Sequence, residues 1–148
     1  MKIRPLTTLD IAAILLIEKE NYDDPWDYKI FEDEIVHSQN SEYYGIFNDE
    51  ELIGYMGFWK LPDYLDITNI SVKPQYMRQG IAKKLLDYLE ACAQSNNINS
   101  IFLEVNVNNQ GAIKLYEDYG YKILKTIRHY YSYNNDDAYL MQKELSNE

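Results

Sequence analysis

Two periods of apolar residues divide the chain into predicted helices and predicted strands. Apolar residues that recur every three or four positions predict four helices, at residues 11–18, 27–37, 81–95 and 110–119. Alternating or continuous apolar runs predict seven strands, at residues 2–6, 43–47, 52–59, 64–72, 101–105, 121–131 and 138–145. The resulting order, βααβββαβαββ, predicts a mixed α/β fold with an antiparallel first half and a strand-helix-strand crossover in the second half.

Local signals refine the second helix. Pro25 predicts a loop around residues 21–26, because a residue before proline avoids the helical region. In the helix that follows this loop, the apolar spacing directs Ile30, Phe31 and Ile35 toward the core.

Length and composition predict one globular domain over residues 1–148. Apolar residues make up 46% of the 148 residues, which is enough for a core, and no repeat or flexible linker divides the chain. With 14 Lys and Arg against 24 Asp and Glu, the formal net charge is −10. This charge repels phosphate backbones, which argues against a general nucleic-acid binder, and it favours cationic partners.

Cysteine and histidine are too sparse to suggest a disulfide framework or a metal site. Cys92 is the one cysteine, at a position expected to face the core, and His37 and His129 have no Cys or His at ligand spacing. The longest uncharged apolar run, residues 11–17, is far shorter than a membrane span. Since the N-terminus has no apolar signal-peptide segment, the sequence predicts a soluble cytoplasmic protein.

One turn carries the features of a diphosphate-binding site. A predicted strand ends before Arg78-Gln79-Gly80, and a helix begins directly after it. The first helical turn has free N–H groups and a partial positive charge, a glycine lets a diphosphate approach the backbone, and Lys83 adds a second cation. The segment matches neither a Walker loop nor the dinucleotide pattern G-x-G-x-x-G. On spacing alone, Gly80 could equally be a plain turn before a helix.

A wider set of residues points to one family. The sequence QYMRQGIA at residues 75–82 resembles the acetyl-CoA signature of the GCN5-related N-acetyltransferases, although Ala82 replaces the commoner second glycine. The element order matches that family along the whole chain. The family's bacterial enzymes that acetylate the N-terminal α-amine of a small-subunit ribosomal protein have, in order, segments similar to residues 24–26, 69–72, 103–116, 120–121 and 128–131.

The resemblance implies a fold and a cosubstrate site. The family's fold is a central, mostly antiparallel sheet with splayed parallel middle strands, flanked by helices, and acetyl-CoA lies in the opening. By resemblance, a strand end holds the pantetheine and thioester through backbone groups, the glycine turn cradles the pyrophosphate, and a later helix start contacts the cosubstrate. The acetyl-CoA-binding residues so implied are Ile70, Ser71, Val72, Arg78, Gln79, Gly80, Ile81, Ala82, Lys83 and Asn109.

The resemblance also implies two catalytic side chains. An α-amine has a pKa of about 7.7–8.0, so near neutral pH it must lose a proton before it attacks a thioester. Glu104 matches the family's general base, acting directly or through water, and Tyr116 matches the general acid that protonates the leaving sulfur. From the residues alone, Glu104 could be a solvated or salt-bridged strand residue, Tyr116 a core aromatic and Asn109 a plain helix cap.

For the acceptor, the resemblance implies a cleft flanked by Trp26, Tyr130 and Tyr131. Aromatic walls with carboxylates suit a flexible, cationic N-terminal peptide, and the acidic net charge would attract a basic ribosomal protein. Trp26 could instead be a core residue, and the two tyrosines could be strand formers. The alternative functions are an acetyltransferase of lysines or small amines and a non-catalytic acyl-CoA-binding module. A monomer or a weak dimer is expected, with no nucleic-acid or membrane partner.

Overall fold

The structure is a computed structural model that describes residues 1–145, so residues 146–148 of the predicted domain lie outside the described part. Its strands are β1 (Lys2–Pro5), β2 (Ser41–Asn48), β3 (Glu51–Lys60), β4 (Leu65–Val72), β5 (Ser100–Asn106), β6 (Lys122–Ile127) and β7 (Ala138–Glu144). Its α-helices are α1 (Ile11–Asn21), α2 (Tyr28–Glu32), α3 (Ile81–Ser95) and α4 (Gln110–Asp118). The predicted mixed α/β fold and the predicted element order are confirmed, and the strands pair mostly antiparallel.

Contacts within the chain group the described residues into two compact units. The first contains Met1–Lys60 and Thr68–Leu89, and the second contains Leu61–Ile67 together with the chain from Glu90 onward. The organisation of the chain as one domain stays a prediction. Among the described residues, no helix combines the length and the hydrophobicity that a membrane span requires.

The core of the first unit is built around Phe31. In this unit β2 lies between β1 and β3 and is antiparallel to both. The ring of Phe31 packs edge-on against Tyr43 of β2 and Tyr55 of β3, with ring centroids 6.0 and 6.1 Å apart. Gly57 lies opposite Tyr43, and a Cβ atom there would come within 2.2 Å of the Tyr43 ring. A glycine is therefore required for the tyrosine ring to lie over β3.

The second predicted helix, over residues 27–37, is present but changes type along its length. Asp27 caps its start, accepting a hydrogen bond from the N–H of Ile30 at 3.1 Å, and α2 gives way to a π-helical turn at Asp33–His37. Phe31 is fully buried and Ile35 packs against the same core, as predicted. The inward orientation predicted for Ile30 is wrong, because this side chain is 39% exposed. Consecutive helical residues point about 100° apart, and Phe31 takes the direction of the core.

In the second unit the strand order is β4, β5, β7, β6. Residues 65–67 of β4 run parallel to residues 101–103 of β5, and β7 is antiparallel to both β5 and β6. Parallel neighbours need a long connection, and the chain between β4 and β5 supplies it with α3. The predicted strand-helix-strand crossover is thus confirmed.

The last hairpin differs from its prediction in the first strand. β6 ends at Ile127 rather than at residue 131, so Tyr130 and Tyr131 lie in the connection to β7. The backbone is left-handed at His129 and Asn135, with φ of 54° and 59°, and this conformation ends the extended strand. The two tyrosines are therefore loop residues and not strand formers.

Candidate active site

The end of β4 that is predicted to hold the thioester receives hydrogen bonds from the end of α1. The Asn21 amide donates to Ser71 Oγ at 2.5 Å and to the Val72 carbonyl at 2.9 Å. The Tyr22 hydroxyl donates to the Ile70 carbonyl at 3.2 Å. Two carbonyl groups of the predicted acyl-binding segment thus already accept hydrogen bonds within the first unit.

A buried carboxyl group lies one turn earlier on α1. Glu18 is 2% exposed and accepts a hydrogen bond from Asn69 Nδ2 at 2.9 Å. Burial raises the pKa of Glu18, and the hydrogen bond from Asn69 opposes that rise. Burial and the charge of Glu18 also raise the pKa of Tyr55. Sequence analysis missed this cluster, although Glu18 continues the apolar stripe of Ile11 and Ile14, where a carboxyl group is costly without partners.

Replacing Asn21 with alanine is expected to destabilise the protein by about 1–3 kcal/mol. The physical reason is that the Ser71 hydroxyl and the Val72 carbonyl each lose a hydrogen-bond donor in a partly buried place. The matched control is Glu20→Ala, a change at the exposed neighbour on the same helix, which should stay within about 0.5 kcal/mol of wild type. Urea denaturation measures both, and equal unfolding free energies for the two variants would contradict the role of Asn21.

The predicted pyrophosphate turn presents an open and exposed backbone. Arg78 and Gly80 are left-handed, with φ of 64° and 80°, and α3 begins at the next residue. The first backbone hydrogen bond of α3 runs from the Lys84 N–H to the Gly80 carbonyl at 3.1 Å. The N–H groups of residues 81–83 therefore belong to the first helical turn, where N–H groups have no acceptor within the helix. A Cβ atom built on Gly80 would meet nothing within 4 Å, and Arg78 and Lys83 are exposed. Open space, helix-start N–H groups and two cations fit a diphosphate.

The remaining residues predicted for this turn contribute differently. Gln79 is exposed and donates a hydrogen bond to the Gln75 carbonyl at 3.2 Å. Ala82 is half-buried, and Ile81 is 2% exposed, so Ile81 can offer a ligand only its backbone.

In the second unit, three titratable side chains lie beside one another. Glu104 shares a face of β5 with Phe102 and Asn106, because the residues between them are buried. Asp66 of β4 is opposite Phe102 in the parallel register. Burial raises the pKa of Glu104 to about 7, and the charge of Asp66 adds to that rise. Burial and the charges of both carboxylates also raise the pKa of Tyr130, which lies in the connection between β6 and β7.

The α4 residues predicted for the site have structural contacts of their own. Tyr116 is 6% exposed, and its ring packs edge-on against Tyr121 with centroids 5.7 Å apart. The Asn109 side chain accepts a hydrogen bond from the Ala112 N–H at 3.1 Å and so caps α4. The helix-cap alternative for Asn109 therefore describes its contact in the structure, while its contact with acetyl-CoA and the catalytic role of Tyr116 stay predictions.

The three aromatic residues predicted to flank the acceptor have different surroundings. Trp26 belongs to the first unit and packs against its core, with its ring 5.4 Å from that of Phe31. Tyr130 and Tyr131 belong to the second unit, where their rings meet edge-on at 4.9 Å and Tyr130 is 46% exposed. The structure thus brings Tyr130 together with Tyr131, and the charge of Glu104 contributes to the raised pKa of Tyr130.

Sequence analysis also missed Asp66, since no local motif marks it and only the pairing of β4 with β5 brings it near Glu104. Within residues 1–145, no cluster of three or more His, Cys, Asp or Glu side chains could hold a metal ion. Cys92, which the sequence places toward the core, is partly buried.

Comparison with known proteins identifies the family. Residues 9–121 match the family model of the acetyltransferase (GNAT) family. The N-alpha-acetyltransferase RimI of Mycobacterium tuberculosis is 30% identical over 145 residues, which cover 94% of this chain and 89% of that protein. The crystal structure of the ribosomal-protein-S18-alanine N-acetyltransferase from Escherichia coli has a TM-score of 0.88 and 27% identity, covering 98% of this chain and 94% of that one.

A more distant solved structure shares the fold. The PaiA N-acetyltransferase from Thermoplasma acidophilum, solved in complex with coenzyme A, has a TM-score of 0.82 and covers 97% of this chain and 98% of its own. At 21% identity this similarity shows the fold alone. The prediction of an N-acetyltransferase is confirmed by the family match, and the chain belongs to the acetyltransferase (GNAT) family.

Proposed function

We propose that this chain transfers an acetyl group from acetyl-CoA to the N-terminal α-amine of a protein, with a basic small-subunit ribosomal protein as the expected acceptor. The observation that carries the proposal is the half-buried Glu104 carboxyl, whose pKa of about 7 suits a proton acceptor at neutral pH. The names of the relatives support the acceptor, since the Escherichia coli enzyme is a ribosomal-protein-S18-alanine N-acetyltransferase and the Mycobacterium tuberculosis protein is an N-alpha-acetyltransferase.

Glu104 and Tyr116 have complementary roles, since one accepts a proton and the other donates one. Acetyl-CoA supplies an acetyl group that is activated as a thioester. Glu104 takes a proton from the α-amine, directly or through water, and the amine pKa of about 7.7–8.0 lies close enough to that of Glu104 for the transfer to be nearly balanced. Tyr116 holds a proton on its hydroxyl oxygen for the leaving sulfur, in surroundings that leave it 6% exposed.

The first unit supplies most of the groups that would hold acetyl-CoA, and Asn109 of the second unit stays a predicted contact. The turn at Arg78 and Gly80, the following helix-start N–H groups and Lys83 would bind the pyrophosphate. At the end of β4, the carbonyl groups of Ile70 and Val72 accept hydrogen bonds from Tyr22 and Asn21, so we expect the N–H groups of the same two β4 residues to serve the pantetheine and thioester.

The charge and an exposed aromatic ring favour a cationic peptide as acceptor. The chain has a formal net charge of −10, and the connection between β6 and β7 carries the exposed Tyr130 and the half-buried Tyr131 together with Asp136 and Asp137. Opposite charge speeds encounter with a basic protein, and the exposed Tyr130 ring offers contact area to a flexible N-terminus. The contacts of Trp26 with this acceptor, a monomeric or weakly dimeric state and a cytoplasmic location stay predictions.

A thiol-release assay with acetyl-CoA tests the proposal. Two peptides copy a ribosomal N-terminus and share an internal lysine, and one of them has its α-amine blocked. We expect release of thiol with the free peptide and none with the blocked one. Equal turnover of the blocked peptide would favour a lysine acetyltransferase, and binding of acetyl-CoA without turnover of any amine tried would favour a non-catalytic module.

A further inference from the structure

Asp66 is a partly buried carboxyl group outside the proposed catalytic pair. Its Oδ1 atom is buried and has no hydrogen-bond partner among the described residues. Buried charges in proteins are normally ion-paired or hydrogen-bonded, because an isolated charge away from water is costly. Burial accordingly raises the pKa of Asp66. A carboxyl group held in such an unfavourable place is a candidate for a functional role.

The parallel pairing of β4 with β5 places Asp66 beside Glu104. Asp66 is opposite Phe102, and Glu104 is two residues further along β5 on the same face. Asp66 and Glu104 are therefore diagonal neighbours, about 4.8 Å apart across the strand pair and about 7 Å apart along it, so their Cα atoms are about 8 Å apart and flexible side chains can shorten the distance between their carboxyl groups. Two ionised carboxyl groups at this range repel each other, most strongly where water is partly excluded.

A hydrogen bond from its own backbone N–H partly opposes the rise in the pKa of Glu104, but among the described residues no ion pair offsets the repulsion between the two carboxyl groups. On β7 the residue opposite Glu104 is Leu140, and the nearest cation in the register, Lys125 of β6, is one strand further away and exposed. The connection between β6 and β7 contributes the Tyr130 hydroxyl, whose raised pKa keeps it neutral at physiological pH. The ion pairs found in this unit involve other carboxylates.

We propose that Asp66 is a positioning residue for Glu104, a second carboxylate whose uncompensated negative charge strengthens Glu104 as a proton acceptor. The proposal rests on the proposed role of Glu104 as general base. It explains why the structure keeps a carboxyl group at Asp66, where a neutral side chain would be more stable.

Two consequences separate this role from a structural one. An ionised Asp66 disfavours ionisation of Glu104, so removing the Asp66 charge lowers the pKa of Glu104 and moves the acid limb of the kcat/KM pH profile to lower pH. Both carboxyl groups have raised pKa values in the folded protein, so the folded state binds more protons and stability falls as pH rises from the usual carboxyl range through about 7. Asp66→Asn is therefore expected to melt at the same or a higher temperature than wild type at mildly alkaline pH.

Carbon-13 NMR titration of the side-chain carboxyl groups, without acetyl-CoA, tests the proposal directly. In Asp66→Asn the pKa of Glu104 is expected to fall by about one unit, since burial, the larger cause of its rise, remains. Asp63→Asn, which neutralises an exposed acid just before β4, is the matched control and should leave Glu104 unchanged. An unchanged Glu104 titration in folded Asp66→Asn overturns the proposal.

The same NMR titration of the wild-type protein tests the proposal even if Asp66→Asn fails to fold. Interacting carboxyl groups titrate in shared steps, so the Asp66 carboxyl carbon should show a second inflection at the pKa of Glu104. A single-step Asp66 curve overturns the proposal. Failure of the proposed function is a separate result, because full turnover by Glu104→Gln rejects Glu104 as the base whatever the NMR titration shows about the two carboxyl groups.

Discussion

Glu104→Gln is expected to lower kcat for peptide acetylation by roughly 10²–10⁴-fold, the usual contribution of a positioned general base. Glutamine keeps the size of the side chain and its place on β5 but cannot take up the proton of the amine. The KM for acetyl-CoA should change little, since the residues proposed to hold the cosubstrate lie elsewhere in the chain. Steady-state thiol release over a range of peptide and acetyl-CoA concentrations measures both constants.

The pH profile and a control variant make this expectation specific. Glu104 accepts a proton only when ionised, so wild-type kcat/KM should fall as pH drops below about 7, and Glu104→Gln should lose that limb. Glu117→Gln, at an exposed position on α4, should behave like wild type. Turnover by Glu104→Gln at the wild-type rate would remove Glu104 from the mechanism.

Phe31→Ala is expected to destabilise the protein by about 3–5 kcal/mol, because it deletes a fully buried aromatic ring and leaves a cavity. The Phe31 ring contacts Trp26, Tyr43 and Tyr55, so its loss removes contacts from the loop before α2 and from two strands of the first unit. Chemical denaturation followed by circular dichroism measures the free energy of unfolding.

The neighbouring residue provides the control for Phe31. Ile30 is 39% exposed, so Ile30→Ala should cost far less, about 0.5 kcal/mol. Similar losses for the two variants would mean that α2 presents a different face to the core from the one in the structure.

The order of strands and helices follows from the sequence because burial imposes a period on each element. β5 alternates buried and half-buried residues along its whole length, which gives apolar residues a period of two in a strand. In a helix, burial of one face gives apolar residues a period of three to four, so the sequence distinguishes the two kinds of element. The same rule fails at Ile30, because Phe31 takes the direction of the core on the short helix α2 and leaves its neighbour Ile30 39% exposed. It fails again at Tyr130 and Tyr131, where the left-handed backbone of His129 and Asn135 ends a strand that the tyrosines by themselves favour.

Some residues of the candidate site can be predicted from the sequence, and others cannot. Glu104, Tyr116 and the glycine turn are predicted from their motif context, which is local in sequence. Asp66 and Glu18 are not predicted, because their surroundings come from residues far along the chain: Asp66 is paired with β5, and Glu18 receives a hydrogen bond from Asn69. For Glu18, the sequence gives one signal, which is its position on the apolar stripe of α1. This position predicts that the carboxyl group is buried with a hydrogen-bond partner, but it does not identify the partner.

The measurement that tests transfer to an α-amine most directly is fragment mass spectrometry of one peptide that carries a free N-terminus and an internal lysine. The peptide is incubated with acetyl-CoA and wild-type protein, and in parallel with Glu104→Gln. We expect an acetyl group on fragments that contain the N-terminal residue, none on fragments that contain only the lysine, and almost no product with Glu104→Gln. An acetyl group found on the lysine with the N-terminus unmodified would contradict transfer to the α-amine.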